Sequence, residues 1–422
     1  MPEAIRRRWR WSPFAVLTGR HAGLEIALWQ GGGVRSVGIT AFVFWAVMVG
    51  TTVPTPLYPE YERAFGIVPV EVTVLFAVYA IGVVIGLLVL GRLSDQIGRR
   101  PVMAAALLLA GAAGALFVVA SGLGTLLGAR VLSGFSAALV TGAATAALSE
   151  QLPERRRGLA PVLALVANMG GLAAGTMLAG LLAQWAGHPL RLSWIVHLGL
   201  VAAGLVGLVF VAETVRASRP TLRLQRLRVP GEIRGTFLRA AAAAGSGFAV
   251  LGVLTSVTGI LLGTELGRHD PALTGFVVFL AFAATGAGQL IDRRLPPAVS
   301  LPAACVCLIL SAALIAVAVL APSLSALLAA SVVVGLGTGS AVSAGLRAIN
   351  AGVPAERRGA AVSAFFAILY TVLALPAIGV GIVIELSNLR WAAGIFTALV
   401  AALAVTVLLS LTRRPTPATA RR

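Results

Sequence analysis

The sequence contains no lysine, so all 33 of its basic residues are arginines. It has few charges of any kind, because charged residues make up 11% of the 422 residues and hydrophobic residues make up 58%. Soluble domains carry about 25% charged residues. This composition excludes a water-soluble fold and predicts a protein that lies within a lipid bilayer.

Residues that build catalytic or metal sites are also scarce. The two cysteines, Cys305 and Cys307, are two positions apart and would point away from each other on a helix. The four histidines are scattered without metal-ligand spacing, and the sequence has no glycine loop for nucleotide phosphates. We therefore predict that the protein is not an enzyme and uses no metal or cofactor.

Long apolar segments account for most of the chain. A membrane-spanning helix needs about 20 apolar residues to cross about 30 Å of hydrocarbon, and these segments are too long for barrel strands. We therefore predict an all-α membrane protein with twelve spans. Numbered 1 to 12, the spans are expected at 37–57, 70–90, 102–120, 124–147, 159–184, 192–212, 239–262, 272–291, 298–320, 324–348, 360–384 and 391–411.

The arginines divide unequally between the two sides of these spans. With the N-terminus inside, 27 arginines lie in cytoplasmic segments and 4 lie in outer loops. Cytoplasmic loops are typically rich in basic residues, so we predict a multi-pass protein of the plasma membrane with both termini in the cytoplasm. Contact with anionic lipid of the inner leaflet then explains the net charge of +18, and no nucleic acid is expected to bind.

The sequence repeats internally. Residues 152–160, "LPERRRGLA", recur 201 positions later as "VPAERRGAA" at 353–361. Two related six-helix halves are typical of alternating-access transporters, with the binding site between the halves.

The basic segment at the start of the chain either lies on the inner membrane surface or is a loose tail. The predicted parts are a basic cytoplasmic N-terminal segment (1–36), an N-terminal half (37–213), a cytoplasmic linker (214–238), a C-terminal half (239–411) and a cytoplasmic tail (412–422).

One short charged segment, "GRLSDQIGRR" at 91–100, lies between spans 2 and 3. It matches the pattern G-x-L-x-D-x-x-G-R-R and so resembles the loop 2–3 signature of the major facilitator superfamily. Gln96 is a departure, because that family usually has a basic residue there. The resemblance implies a twelve-helix fold and secondary transport of a small solute. A shorter copy, "GQLIDRRLPP" at 288–297, follows span 8.

The charges around this segment predict a gate at the inner end of the molecule. Gly98 permits a tight turn, and Asp95 would be favoured near the positive end of a helix. Arg99 can pair with Glu150, which together with Arg157 resembles an E-x6-R pattern of sugar porters. The gate would close when the cavity faces outside; alternatively, these residues only set topology and turns. The predicted members are Gly91, Asp95, Gly98, Arg99, Glu150, Arg157, Asp292, Arg293 and Arg358.

Arg130 lies about 10 Å inside the outer end of span 4, where a charge is costly. Its surroundings, "RVLSGFSAA", resemble the span-four signature of proton-coupled drug antiporters, which implies a role in coupling. Alternatively, the side chain reaches the outer surface or binds backbone carbonyl groups.

Glycines and prolines mark spans 5 and 1. Gly171, Gly175 and Gly180 resemble the span-five signature of the antiporters, although Thr176 replaces its proline. Small residues four apart also allow close helix packing. Pro54 and Pro56 are expected to kink or break the outer end of span 1.

No aspartate or glutamate is expected near the middle of any span, which disfavours a strongly cationic substrate. An apolar cavity with few polar groups suits amphipathic or hydrophobic small molecules. The candidates for its lining are Tyr79, Asn168, His197, Phe366 and Tyr370.

These features predict a secondary active transporter that exports small amphipathic or hydrophobic organic molecules by proton antiport, with the two halves rocking about a central site. The alternative is facilitative or proton-symport uptake of a metabolite or sugar. The expected partners are a small-molecule substrate, protons and membrane lipid, and the protein is expected to be a monomer.

Overall fold

The computed structural model describes residues 15–215 and 233–412, with side chains from residue 33 onward except at 355, 356 and 412. Within these ranges every regular element is helical, and twelve helices are long and apolar enough to cross a membrane. The predicted class and number of spans are therefore confirmed. The helices of spans 1 to 12 are Ala15–Thr52, Pro69–Leu90, Arg99–Val118, Leu123–Gln151, Ala160–Trp185, Pro189–Leu208, Arg234–Leu266, Pro271–Asp292, Pro297–Leu320, Leu324–Gly352, Ala355–Leu386 and Leu389–Thr412.

Short helices lie between some of the spans. The 3-10 turn Thr55–Leu57 and the helix Tyr58–Phe65, which we call the outer helix, follow span 1. The helix Leu93–Ile97 separates spans 2 and 3, and a 3-10 helix at Glu154–Leu159 precedes span 5. The charged segment between spans 2 and 3 is therefore a helical turn rather than an extended loop.

Span 1 differs from its predicted bounds at both ends. Its helix begins at Ala15, so part of the predicted segment 1–36 continues the span. The helix ends at Thr52, because the prolines that follow lack the N–H groups needed to continue it. Residues 1–14, 216–232 and 413–422, which include most of the predicted linker and tail, lie outside the described residues.

The two halves meet along two helix pairs, span 2 with span 11 and span 5 with span 8. The sequence repeat extends to packing within each half. A Cβ atom on Gly134 would lie 2.4 Å from the carbonyl oxygen of Tyr79, and one on Gly335 would lie 2.4 Å from that of Ala281. Glycines 201 residues apart therefore let span 4 approach span 2 and span 10 approach span 8 in the same way.

We call the end that carries loops 2–3 and 4–5 the inner end, following the orientation that the arginines predict. At the opposite, outer end the halves touch through backbone. A Cβ atom on Gly180 would lie 2.6 Å from the carbonyl oxygen of Pro271, and one on Gly275 would lie 2.4 Å from that of Thr176. The backbones of spans 5 and 8 thus form a seal at the outer end.

Candidate substrate cavity and inner gate

A cavity of about 570 Å³ lies between the two halves. Its lining runs from Thr51 and Tyr79 to Gly91 and Ser149, at the inner ends of spans 2 and 4. The cavity therefore extends toward the inner end, and its lining stops short of the outer end, where spans 5 and 8 are in contact. Its volume falls within the range of about 300–1,000 Å³ that is typical of small-molecule sites.

The cavity wall is aromatic and uncharged. Its polar groups are hydroxyls and the amides of Asn168 and Gln289, and no charged side chain lines it in the part of the chain that the structure describes. Aromatic rings offer large apolar surfaces with preferred stacking geometries, which suits flat, amphipathic molecules. The rings are those of Phe44, Phe76, Tyr79, Phe248, Phe282, Phe366 and Tyr370.

Four of the five predicted cavity residues line this wall: Tyr79, Asn168, Phe366 and Tyr370. Tyr79 and Tyr370 come from opposite halves, and their hydroxyl groups interact. The Oδ1 atom of Asn168 is buried without a hydrogen-bond partner. Because an unpaired buried acceptor is costly, Asn168 is suited to accept a hydrogen bond from a bound molecule.

His197, the fifth predicted residue, does not line the cavity, and its assignment there is wrong. Its Nε2 atom lies 3.2 Å from the carbonyl oxygen of Ala46, and its ring packs edge-on against Trp194. Gly50 makes room for the ring, since a Cβ atom there would lie 2.3 Å from Nε2. The physical reason is that span 6 packs on spans 1, 3 and 5 of its own half, away from the partner half.

Arg130 is fully buried beside the closed end of the cavity. Its Nη1 atom donates to the carbonyl oxygen of Thr51 at 2.8 Å, and its Nε atom donates to that of Leu75 at 3.1 Å. Its guanidinium carbon lies 4.7 Å from the centre of the Tyr79 ring, which faces the cavity. Arg130 thus binds backbone carbonyl groups, as one sequence alternative predicted, and its charge lies one layer behind the cavity wall.

The break in span 1 explains the contact with Thr51. Pro54 and Pro56 are buried in the turn that follows the span, so the helix ends before the N–H group of Thr55 can bond to the carbonyl of Thr51. Arg130 donates to this freed carbonyl instead. The two prolines therefore leave the carbonyl oxygen of Thr51 free to accept a hydrogen bond from Arg130. They lie outside the cavity wall.

Gly171 and Gly175 bring span 5 against span 1. A Cβ atom on Gly171 would lie 2.6 Å from that of Met48, and one on Gly175 would lie 2.2 Å from the carbonyl oxygen of Val49. Together with Gly180 at the outer seal, these glycines allow close packing of backbones, which is the simpler interpretation of their spacing.

Arg99 is the centre of a charged cluster at the inner end. It donates to Glu150 Oε1 at 2.8 Å, to Ser94 Oγ at 2.8 Å and to the carboxylate of Asp95. The predicted pairing of Arg99 with Glu150 is confirmed. Thr214 also donates to Glu150, at 2.5 Å. All these partners belong to the N-terminal half or to the first linker residue, so these contacts do not join the two halves.

Glu213 completes this cluster, although the sequence analysis assigned it no role. Its carboxylate accepts hydrogen bonds from the backbone N–H groups of Arg99 and Arg100, each at 2.9 Å, where span 3 begins. Gly98 has a φ of +107°, and a Cβ atom there would lie 2.5 Å from Glu213 Oε2. This glycine therefore makes room for a carboxylate at a helix N-terminus, where negative charge is favoured. The available signal was an acid directly after span 6, at the start of the arginine-rich linker.

The C-terminal half carries a different cluster at the matching place. Buried Asp292, at the end of span 8, forms an ion pair with Arg347 of span 10. Arg347 also donates to Ser300 Oγ at 2.7 Å. The predicted gate residue Arg293 is exposed and makes no ion pair with a described residue. The basic partner of Asp292 is therefore Arg347 and not its sequence neighbour Arg293, because span 10 packs directly on span 8.

Three further gate candidates lie apart from both clusters. Gly91 follows span 2 and lines the mouth of the cavity. Arg358 donates to the carbonyl oxygen of Val353 at 2.9 Å. Arg157 is exposed and makes no ion pair within the described ranges. The E-x6-R spacing therefore does not bring Arg157 to Glu150.

Comparison with protein-family models matches residues 40–321, more than half of the chain, to the Major Facilitator Superfamily. Among curated proteins, the puromycin resistance protein pur8 of Streptomyces alboniger is 28% identical over 274 residues, which cover 62% of this chain and 49% of that protein. The segments matched in three other curated relatives span between 36% and 65% of the relatives' own lengths.

Solved transporter structures share the fold. A point mutant of the nucleoside transporter NupG matches with a TM-score of 0.69 at 12% identity, covering 90% of this chain and 100% of that one. A bacterial homologue of the human lysosomal transporter Spinster, in an inward-facing and unoccupied conformation, matches with a TM-score of 0.66 at 16% identity. That match covers 91% of this chain and 99% of the other.

Proposed function

Because the chain belongs to the major facilitator superfamily and is a multi-pass membrane transporter, we propose that it exports small amphipathic or hydrophobic organic molecules by proton antiport. Its substrate would bind in the cavity between the halves. The halves would rock about this site, so that the cavity is open at one end of the molecule at a time.

The uncharged aromatic wall of the cavity is the observation that carries this proposal. A strongly cationic substrate would find no carboxylate among the described lining residues. A sugar would exchange many hydrogen bonds with water for contacts with rings and a few hydroxyls, which is unfavourable. The wall therefore favours amphipathic molecules and makes uptake of a sugar the weaker candidate.

Two further observations support export with proton coupling. One relative of this chain is named a puromycin resistance protein. The buried charge of Arg130 lies against Tyr79 in the cavity wall. A change of protonation near Arg130 would therefore change the electrostatic potential at the cavity wall.

The inner cluster would take part in the rocking motion. The side chain of Asp95 is 57% exposed although it pairs with Arg99, so it is accessible to the other half when the inner end closes. We propose that this closure accompanies the opening of the seal between spans 5 and 8.

Transport by purified protein in liposomes tests the proposal. A pH-sensitive dye is enclosed, a proton gradient is imposed, and neutral chloramphenicol, puromycin and the permanent cation ethidium are added in turn. We expect chloramphenicol or puromycin to evoke proton efflux, with a weaker response to ethidium. Compound flux without a proton signal would contradict antiport and indicate a facilitator.

Variants of Arg130 complete this test. Arg130→Ala should reduce the proton signal at least about tenfold, since general acid–base and charge effects of this kind are typically that large or larger. Arg130→Lys should keep part of it, and Arg268→Ala, which changes an exposed outer arginine, should keep all of it. A full signal in Arg130→Ala would limit Arg130 to a structural role.

A further inference from the structure

Four buried polar atoms without a hydrogen-bond partner lie on two neighbouring elements of the N-terminal half. Buried polar groups of this kind are rare and are commonly satisfied by internal water. Their grouping therefore indicates a hydrated interior in a region that is otherwise apolar. The atoms are Tyr58 Oη, Glu62 Oε1, Ser193 Oγ and His197 Nδ1.

The outer helix and span 6 are in contact. Tyr58 and Glu62 are one turn apart on the outer helix and share a face. Tyr61 of the same helix accepts a hydrogen bond from Trp194 Nε1 at 2.9 Å, and Trp194 is the neighbour of Ser193 on span 6. The unpaired groups thus lie on two elements that one buried hydrogen bond joins.

Polar side chains continue from this region to the cavity wall. Arg130 reaches the turn that leads into the outer helix, because its Nη1 atom donates to the carbonyl oxygen of Thr51 at the end of span 1. Arg130 also lies against the ring of Tyr79, whose hydroxyl group interacts with Thr51 and Tyr370 in the cavity wall. Glu62 is half-buried, so its side chain is accessible to the outer solution at one end of this series of polar groups.

We propose that Glu62 is the proton-binding carboxyl group of the transport cycle, and that the hydroxyls of Tyr58 and Tyr79, joined by internal water, connect it to the substrate cavity. The inference rests on the proposed function, because it assigns the place where the coupled proton binds. A proton from the outer solution adds to the Glu62 carboxylate. It later leaves through the hydroxyls and water to the cavity, and no electron is transferred.

Two other acids near Glu62 already have ionic partners. Glu60 pairs with Arg63 at 2.6 Å, and Glu265 at the end of span 7 pairs with Arg390 at 3.0 Å. Glu71 at the start of span 2 makes no ion pair in the described part of the chain, but its Oε2 atom accepts a hydrogen bond from the N–H group of Val68 at 2.9 Å. Among the described acids of this region, Glu62 is the one with a buried carboxylate oxygen that lacks a partner. The titratable and charged groups on the outer helix and on the outer ends of the elements around it include Tyr58, Glu60, Tyr61, Arg63, Glu71, Arg130, His188, Arg191, His197 and Glu265.

Proton release by the purified full-length protein tests this site. The protein is held in weakly buffered detergent solution with a pH-sensitive dye, and the compound that evokes the largest proton flux in liposomes is added. We expect the parent protein to release protons and Glu62→Gln to release none. Glu60→Gln is the matched control, two residues away on the same helix, and should release as many as the parent. Exchange of labelled compound across liposomes without a proton gradient should stay within about twofold in Glu62→Gln, because the cavity is intact.

The outcomes separate the site from the function. Full proton release in Glu62→Gln would overturn the assignment of Glu62 and leave antiport standing. No proton release and no proton flux in the parent protein would overturn both. If Glu62→Gln fails to exchange compound, the proton path is tested with Tyr58→Phe. This variant keeps the aromatic ring and removes the unpaired hydroxyl group. We expect this variant to release protons about tenfold more slowly, and parent-like kinetics would overturn the path.

Discussion

Glu213 holds the start of span 3 by accepting hydrogen bonds from two consecutive backbone N–H groups. It follows span 6 and precedes the linker, so it joins the end of the N-terminal half to the segment that carries Arg99. The position of the Arg99 side chain, and with it the contact to Glu150, depends on where span 3 begins. One carboxylate at a helix N-terminus can therefore set the geometry of the whole cluster.

Glu213→Gln should weaken the inner cluster without removing its packing. A negative charge near a helix N-terminus is worth about 0.3–1 kcal/mol at an exposed site, which changes a conformational balance by roughly two- to fivefold. We expect the initial rate of transport in liposomes to change by a factor in that range. Glu154→Gln, an exposed acid at the same end, is the control. Equal rates in the two variants would show that Glu213 does not act on the gate.

Single residues were predictable where a local pattern fixed them. Arg99 and Glu150 lie at helix ends whose depth the apolar runs define, so their pairing could be anticipated. His197 was misplaced because periodicity gives the depth of a residue in a span and not the neighbour that its face meets. Glu62 was overlooked because the predicted span 1 ended at residue 57, which placed Glu62 in a loop.

Glycines determine how closely the helical elements approach each other. The outer seal has no side chain between the backbones of spans 5 and 8 at Gly180 and Gly275. Contacts of this kind depend on shape and are lost with a single methyl group. The seal is therefore suited to open and close as a unit.

Gly180→Ala should loosen the outer seal, because its methyl group would lie 2.6 Å from the carbonyl oxygen of Pro271. Overpacking typically costs about 1–3 kcal/mol, so the equilibrium should shift toward an outward-open state about fivefold or more. The measurement uses the variant Thr255→Cys, which places a cysteine in the cavity wall, with Cys305 and Cys307 changed to serine. A shift toward the outward-open state is expected to make this cysteine react faster with an impermeant maleimide added from outside.

Gly187→Ala is the matched control for this variant, since a Cβ atom there would have nothing within 4 Å. Equal maleimide rates in the two alanine variants would show that the contact between spans 5 and 8 is not the outer seal.

The spans themselves could be predicted because each must bury about 20 apolar residues in lipid. The end of span 1 could be predicted in part, since its prolines cannot continue a helix. The outer helix could not, because Tyr58–Phe65 has a mixed polar sequence and is held by burial of its tyrosines. The same limit applies to Arg347, whose pairing with Asp292 follows from the packing of span 10 on span 8.

At the scale of the whole molecule, the two halves touch through spans 2 and 11 and through spans 5 and 8, with the cavity between them. The repeat of 201 residues predicted two halves, and glycines at equivalent positions support this division. The identity of the helices at the interface was not predictable, because a single sequence carries no information on distances between halves. The closed outer end and the extension of the cavity to the inner end are likewise visible only in three dimensions.

The central claim is that the cavity alternates between the two ends as the halves rock. Paired spin labels test it most directly, at Glu154 and Arg294 for the inner end and at Gly187 and Arg268 for the outer end. All four sites are exposed and each pair joins opposite halves. When a transported compound and a proton gradient shift the cycle, we predict that the inner distance shortens as the outer distance lengthens. Distances that stay constant, or that change in the same direction, would contradict alternating access in this protein.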